Sequence, residues 1–200
     1  MTALVLGTAA VLGVLGFYEP CTVATHTLYA VRASREPRVL RDSLLLAVPR
    51  AVVLAALVAA AATVGLSGTA PLVVALLAMG AIYLLTVNVY LPVPHLELHR
   101  LLPGRARLPD ALKLGLTLPA CTLPLVVVVA LLAALAGDPR LGALAGATFG
   151  VALSAPTIWY SLRGVPPASR EFLGRAAHAS HYVTTALLWG GAGAAWLATG

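Results

Sequence analysis

Apolar residues run along this chain in long blocks, neither alternating with polar ones nor marking a single helical face. Spanning the hydrocarbon core of a bilayer takes about 20 such residues. Six stretches qualify: residues 3–31, 44–66, 71–93, 111–136, 141–162 and 176–198. The first is long for one span, and Pro20 inside it predicts a break. Asn88 and Tyr90, ahead of Pro92 and Pro94, mark the end of the third. No gap is long enough for a soluble domain. The expectation is an all-α integral membrane protein, one transmembrane domain over residues 1–200, with six transmembrane helices. The apolar N-terminal stretch has no basic n-region and no clear small-residue cleavage site, so it is read as a retained helix.

Composition supports this class. The chain is 60% hydrophobic and 10% charged, where a soluble domain carries about 25% charged residues. A formal net charge of +6 raises the question of nucleic acid, but the basic residues fall between apolar blocks, where topology accounts for them. Arg32, Arg35, Arg38, Arg41 and Arg50 are assigned to the gap after the first block, Arg100, Arg105, Arg107 and Lys113 to that after the third, and Arg163, Arg170 and Arg175 to that after the fifth. Of the 13 Lys and Arg residues only Arg140 is left for the other side. Short loops rich in Lys and Arg stay in the cytoplasm. Both termini are then expected outside, in a multi-pass protein of a bacterial or archaeal cytoplasmic membrane.

Six spans divide into residues 1–100 and 101–200, each a three-helix unit. An odd number of spans per unit inverts the second relative to the first. Each unit opens on a helix with Cys-Thr beside a proline: Pro20-Cys21-Thr22, and Pro119-Ala120-Cys121-Thr122 followed by Pro124. Gly16 and Gly115 stand shortly before the two cysteines. Inverted repeats put the working site near the midplane, on broken helices. The fold expected is therefore two inverted three-helix repeats, with helices 1 and 4 broken at Pro/Cys.

Two cysteines exclude a disulfide framework but permit one pair or two buried core thiols. Pro20 suits the first position of a half-helix and would put Cys21 in its first turn, where free N–H groups and the positive dipole end favour a thiolate. Pro119 can do the same for Cys121, and Pro124 loosens the backbone beside it. Two such sulfurs support thiol–disulfide exchange. Glu19 is the only carboxylate well inside a predicted span; it is read as a proton acceptor for the thiols, a polar wall of a vestibule, or a group reaching headgroups. His26 is read as an interfacial or hydrogen-bonded histidine, with a proton relay as the sharper alternative. His95-Leu96-Glu97-Leu98-His99 lacks the zinc-protease spacing and reads as a solvated face of a basic loop. The Gly190-Gly191-x-Gly193 run predicts close packing of the last helix.

The second half resembles a known family. Pro119-Ala120-Cys121-Thr122-Leu123-Pro124-Leu125, then Ala136-Gly137-Asp138, and then Phe149-Gly150-Val151-Ala152-Leu153-Ser154-Ala155-Pro156 resemble the CcdA/DsbD membrane thiol–disulfide electron transporters in their short six-helix CcdA form. Pro20-Cys21 fits that family's first Pro-Cys-x-x-Pro motif, although Ala24 stands where its second proline would be. In the second motif Ala120 separates Pro119 from Cys121. The resemblance implies a redox-active pair, Cys21 and Cys121, and no cofactor or metal beyond it. It implies reduction of that pair by cytoplasmic thioredoxin and delivery of electrons to an extracytoplasmic thioredoxin-like protein serving cytochrome c maturation or disulfide reduction. The rival reading is a small-solute or metal-ion permease of the same build, with Cys21, Glu19, His26, His178 and His181 along its path.

Overall fold

The computed structural model describes residues 2–66, 68–89 and 95–197. Nearly all of it is helical. The order is α1 (Thr2–Phe17), α2 (Pro20–Ala33), α3 (Val39–Val64), α4 (Ala70–Val89), a two-residue strand β1 (Leu96–Glu97), α5 (Asp110–Gly115), β2 (Thr117–Leu118), a 3-10 turn at Ala120–Thr122, α6 (Leu123–Ala136), α7 (Pro139–Arg163) and α8 (Pro167–Leu197). Apart from the backbone of Asn88, the polar ending expected at Asn88, Tyr90, Pro92 and Pro94 lies outside the described residues.

By length and composition α3 and α7 can each cross a membrane. At 1.5 Å per residue they span about 39 and 38 Å, more than the ~30 Å hydrocarbon core. The pair α1–α2, bent by 74° at its break, makes a third candidate span. The apolar parts of α4 and α6 are shorter. Polarity is distributed as a bilayer solvent requires. Leu4, Val11, Leu28, Val52, Val74 and Leu85 face outward, while Glu19, His26, Arg50, Thr157, His181 and Thr184 are buried.

The helices α3 and α7 form the centre, with α1 on α7, α6 on α3 and α4 on α8. Glycine on α7 sets the central spacing. A Cβ on Gly142 would lie 2.9 Å from the Val58 carbonyl oxygen, and one on Gly150 would lie 2.9 Å from the Ala51 Cα. A Cβ on Gly13 in α1 would meet the Phe149 carbonyl oxygen at 2.6 Å. The glycines of the last helix do not serve this purpose. Gly190 and Gly193 have open space at the Cβ position, and Gly191 only ordinary contact with Leu76. Close approach of α8 to α4 comes instead from Trp189, which packs on Gly80 and donates its indole N–H to the Leu77 carbonyl at 3.2 Å.

Helix ends follow local chemistry. Gly137, at φ 64°, closes α6 in the left-handed conformation, its N–H reaching the Ala133 and Ala134 carbonyls. Asp138 then caps α7 by accepting the Arg140 N–H at 2.9 Å, with Pro139 in the first turn.

Candidate functional site

Both breaks sit where prolines precede cysteines. After α1 ends at Phe17, Glu19 occupies the N-cap position of α2 with φ −61° and ψ 140°. Pro20 follows in the first turn, and the first backbone bond of α2 is Val23 N–H to the Glu19 carbonyl at 2.8 Å. In the second half, Pro119 occupies the matching position before the 3-10 turn with φ −61° and ψ 139°. Each cysteine therefore lies two residues past an extended residue, in the first turn of a new helix. That turn's amides have no intrahelical acceptors, and the positive end of the helix dipole lies there.

Cys21 and Cys121 form a disulfide, with their Cα atoms 6.8 Å apart. This lies at the upper edge of the 4.4–6.8 Å that disulfides span. Both residues keep partial exposure, and Pro20 is exposed beside them. Thr22 and Thr122, each following its cysteine, are fully buried. The Thr122 hydroxyl donates to the Pro119 carbonyl at 2.8 Å. Pro124 lies in the first turn of α6. The Tyr83 hydroxyl on α4 donates to the Cys121 carbonyl.

Glu19 does not reach toward headgroups. It is 1% exposed and accepts a hydrogen bond from the Thr184 hydroxyl on α8 at 3.2 Å. His26 is not interfacial either. It is fully buried, with Nδ1 2.7 Å from the Thr157 hydroxyl on α7 and Nε2 3.3 Å from the Arg50 guanidinium. Guanidinium only donates, so Nε2 must be the acceptor and Nδ1 carries the proton toward Thr157.

Arg50 requires the largest correction. Counted by charge it belongs to the basic gap after the first block, yet it lies inside α3 with no exposed surface. Besides His26, it donates to the Ser154 hydroxyl at 3.3 Å, the Leu114 carbonyl at 2.5 Å and, more weakly, the Thr117 carbonyl at 3.4 Å. The Leu114 carbonyl belongs to the last turn of α5 and the Thr117 carbonyl to β2 just beyond it, where the fourth block breaks. Unpaired backbone within a membrane must find a protein or water partner, and a cation at a helix C-terminus also meets the dipole favourably. Arg50 supplies both from the neighbouring helix.

The same break recruits the loop that precedes it. β1 pairs antiparallel with β2, Leu96 opposite Leu118 and Glu97 opposite Thr117. Leu98 N–H donates to the Leu116 carbonyl at 3.0 Å. The Ala120 N–H donates to His95 Nδ1 at 3.2 Å, and His99 Nδ1 lies 3.4 Å from the Thr117 hydroxyl. His95-Leu96-Glu97-Leu98-His99 is thus folded onto the residues leading to Cys121 rather than forming a merely solvated face. On its outer side Arg100 binds both Glu97 oxygens, at 2.5 and 2.9 Å, and holds that carboxyl below its ordinary pKa.

The cysteines, their prolines and Glu19 stand out in the sequence as candidate site residues. Arg50, His95, Tyr83 and Thr184, which bond to residues of the two breaks, do not. A signal for Arg50 was present, because it stands several residues inside the 44–66 block. The structure brings Glu19, Pro20, Cys21, Pro119 and Cys121 together around the two breaks. It pairs His26 with Arg50 and Thr157, and His178 with His181. Among the described residues, no group of three His, Cys, Asp or Glu side chains is placed to hold a metal ion. Comparison with known proteins gives no match to a family model, a curated protein or a solved structure.

Proposed function

We propose that this chain carries reducing equivalents across a membrane by thiol–disulfide exchange, with Cys21 and Cys121 as its redox pair. The observation that carries the reading is where the two cysteines meet. They lie 100 residues apart in sequence and are joined at the first turns after two helix breaks. A disulfide that only braced a fold has no need of two broken helices. A donor thiolate attacks one sulfur, the S–S bond breaks, and a mixed disulfide forms. The donor's second thiolate then resolves it, leaving the donor oxidised and both protein thiols reduced. Cytoplasmic thioredoxin is the proposed donor and an extracytoplasmic thioredoxin-like protein the proposed acceptor, as the CcdA/DsbD resemblance implies.

The proposal includes six spans arranged as two inverted three-helix repeats: α1–α2, α3 and α4, then α5–α6, α7 and α8. Helix pairing supports it. The broken α1–α2 packs on α7 as the broken α5–α6 packs on α3, and α2 meets α8 as α6 meets α4. Both central helices carry an internal proline, Pro49 in α3 and Pro156 in α7. Each receives a glycine of the other half's broken helix at close approach: Gly115 against the Leu45 and Leu46 carbonyls, and Gly13 against Phe149 and Ala152. In this reading the basic loops face the cytoplasm and both termini lie outside.

The test is the redox state of the pair. Full-length protein in nanodiscs is oxidised, incubated with reduced thioredoxin and labelled with a mass-shifting maleimide. Two labelled thiols are expected only after thioredoxin, and reduced thioredoxin lacking its resolving cysteine should be held on the wild-type pair as a mixed disulfide, which Cys21→Ser and Cys121→Ser, with no S–S bond to attack, should not form. A pair that stays oxidised in the presence of reduced thioredoxin, or normal electron export by either single variant, overturns the reading.

A further inference from the structure

Reducing the pair creates two thiols, and each needs a proton inside a largely apolar protein. One face of α8 carries a row of polar side chains toward the break at Glu19. His178 is exposed, with its ring centroid 6.0 Å from that of His181 one turn on. His181 is 2% exposed, and neither of its ring nitrogens has a hydrogen-bond partner among the described residues. Thr184, a further turn along, is fully buried and donates to the Glu19 carboxylate at 3.2 Å. Glu19 stands two residues before Cys21. Buried polar groups in folded proteins are almost always paired. A histidine with two unpaired nitrogens, between an exposed histidine and a hydroxyl bound to a buried carboxylate, has the chemistry of a relay.

We propose that protons reach the cysteine pair along α8, from His178 through His181 and Thr184 to the Glu19 carboxyl. The inference rests on the electron-transfer reading and deepens it by giving the second substrate, the proton, a route. When a donor thiolate attacks and the S–S bond breaks, the leaving thiolate takes the proton of the Glu19 carboxyl. Glu19 is recharged through Thr184 and His181 from water at His178. The second protein thiolate, released on resolution, is protonated in the same way. In the reverse direction, as electrons leave to an acceptor, Glu19 receives the proton each thiol gives up.

Other titratable groups surround this row. Tyr83 of α4 donates to the Cys121 carbonyl and lies within electrostatic range of Glu19. Tyr18 beyond α1 packs on Phe172 of α8, Tyr182 packs on His181, and Tyr160 of α7 stacks on Phe17 next to Tyr18. From α2, His26 is held by Arg50 and Thr157. Only Glu19 among them couples a carboxyl to the α8 row.

The experiment follows reduction of the oxidised full-length protein by dithiothreitol in nanodiscs, between about pH 5.5 and 8.5. Rates of Glu19→Gln, His181→Leu and Thr184→Val are each divided by the wild-type rate at the same pH, which cancels the reagent's own titration. Glu19→Gln keeps the acceptor for Thr184, and the two α8 variants test the route if it fails to fold. Positioned acids and bases contribute roughly 10²–10⁴-fold, so Glu19→Gln should slow reduction at least tenfold and flatten its dependence on pH. His181→Leu and Thr184→Val should show the same flattening with smaller losses. Wild-type rates in all three variants overturn the relay, as does uniform slowing with the wild-type pH profile, which marks a structural role. Wild-type protein that dithiothreitol reduces but thioredoxin does not would count against the electron-transfer reading instead.

Discussion

Replacing Arg50 by Met removes the cation while keeping much of the volume, and two effects then oppose each other. The first is relief. A fully buried guanidinium with no carboxylate beside it is expensive to desolvate, and replacing buried ions with apolar residues of similar size is often neutral or stabilising. The second is the loss of its acceptors' partner. Ser154 loses little, because its hydroxyl still donates to the Gly150 carbonyl at 2.9 Å. The Thr117 contact, at 3.4 Å, is too long to weigh much. That leaves the Leu114 carbonyl, bonded at 2.5 Å, and His26 Nε2, at 3.3 Å. Each buried acceptor stranded costs about 1–3 kcal/mol. Leu114 sits at the end of a helix that the chain has broken, where the Leu116 N–H reaches it but is shared with the Leu112 carbonyl, so the helix end replaces the lost donor only in part. We expect the loss to win, with Arg50→Met less stable by about 2–4 kcal/mol once the relief is counted. Arg50→Lys, with a shorter reach, should keep the Leu114 bond, lose the His26 one and fall between. Unfolding in a detergent series, followed by far-ultraviolet circular dichroism, measures both. An Arg50→Met protein that unfolds at the wild-type midpoint would refute the assignment of Arg50 as the group that satisfies the break before Cys121.

Two further outcomes follow from contacts at helix crossings and on the loop. Gly150→Val, whose Cβ would sit 2.9 Å from the Ala51 Cα, should cost about 1–3 kcal/mol by overpacking. Gly190→Ala, with nothing within 4 Å, should be neutral or stabilise by up to ~1 kcal/mol through helix propensity; thermal midpoints of the two variants make the comparison, and equal midpoints would contradict the packing. The Glu97 carboxyl is held below its ordinary pKa chiefly by the Arg100 hydrogen bonds. Its contribution is therefore complete above the ordinary carboxylate range and is lost as pH falls through the lowered value. Glu97→Gln should remove under about 1 kcal/mol at neutral pH, since the pair is solvent-accessible, and less in high salt. Amide exchange at Leu96–Leu98 measures it.

What could be read from the chain in advance was what the bilayer and proline impose. Long apolar blocks forecast helices because no other open structure survives in lipid. Pro20 and Pro119 forecast breaks because proline removes a donor and clashes with the preceding turn. Arg50 was misplaced for a physical reason: counting charges over loops assumes that every arginine inside a block has been drawn out toward water. Pro49 beside it should have warned otherwise, since an internal proline also frees a carbonyl. The two-residue strands β1 and β2 carry no periodicity from which a strand could be read. They exist only because the break in the fourth block exposes the Thr117–Leu118 edge, and the loop before it is long enough to reach back. Gly190, Gly191 and Gly193 resemble a packing motif in sequence, but they fall on a face of α8 that almost none of the described residues approaches.

The two breaks share a backbone but are completed by different means, and the difference follows from the residue at one position. Glu19 and Pro119 hold nearly the same φ and ψ. Proline there offers no side chain that can bond, so the second break is stitched from outside, by Arg50 of α3, by β1 and by His95. Glutamate there brings its own carboxyl, and the first break is tied to α8 by that group through Thr184, with the Tyr18 N–H returning to the Leu15 carbonyl at 2.9 Å. The chain leading to Cys121 is therefore tied to a fixed cation that donates to two carbonyls, a serine hydroxyl and a histidine. Cys21 stands beside a carboxyl with a polar row behind it. A pair held between two such surroundings is chemically unsymmetric even where its backbone is not, and that asymmetry comes from Glu19 and Arg50 rather than from the cysteines themselves.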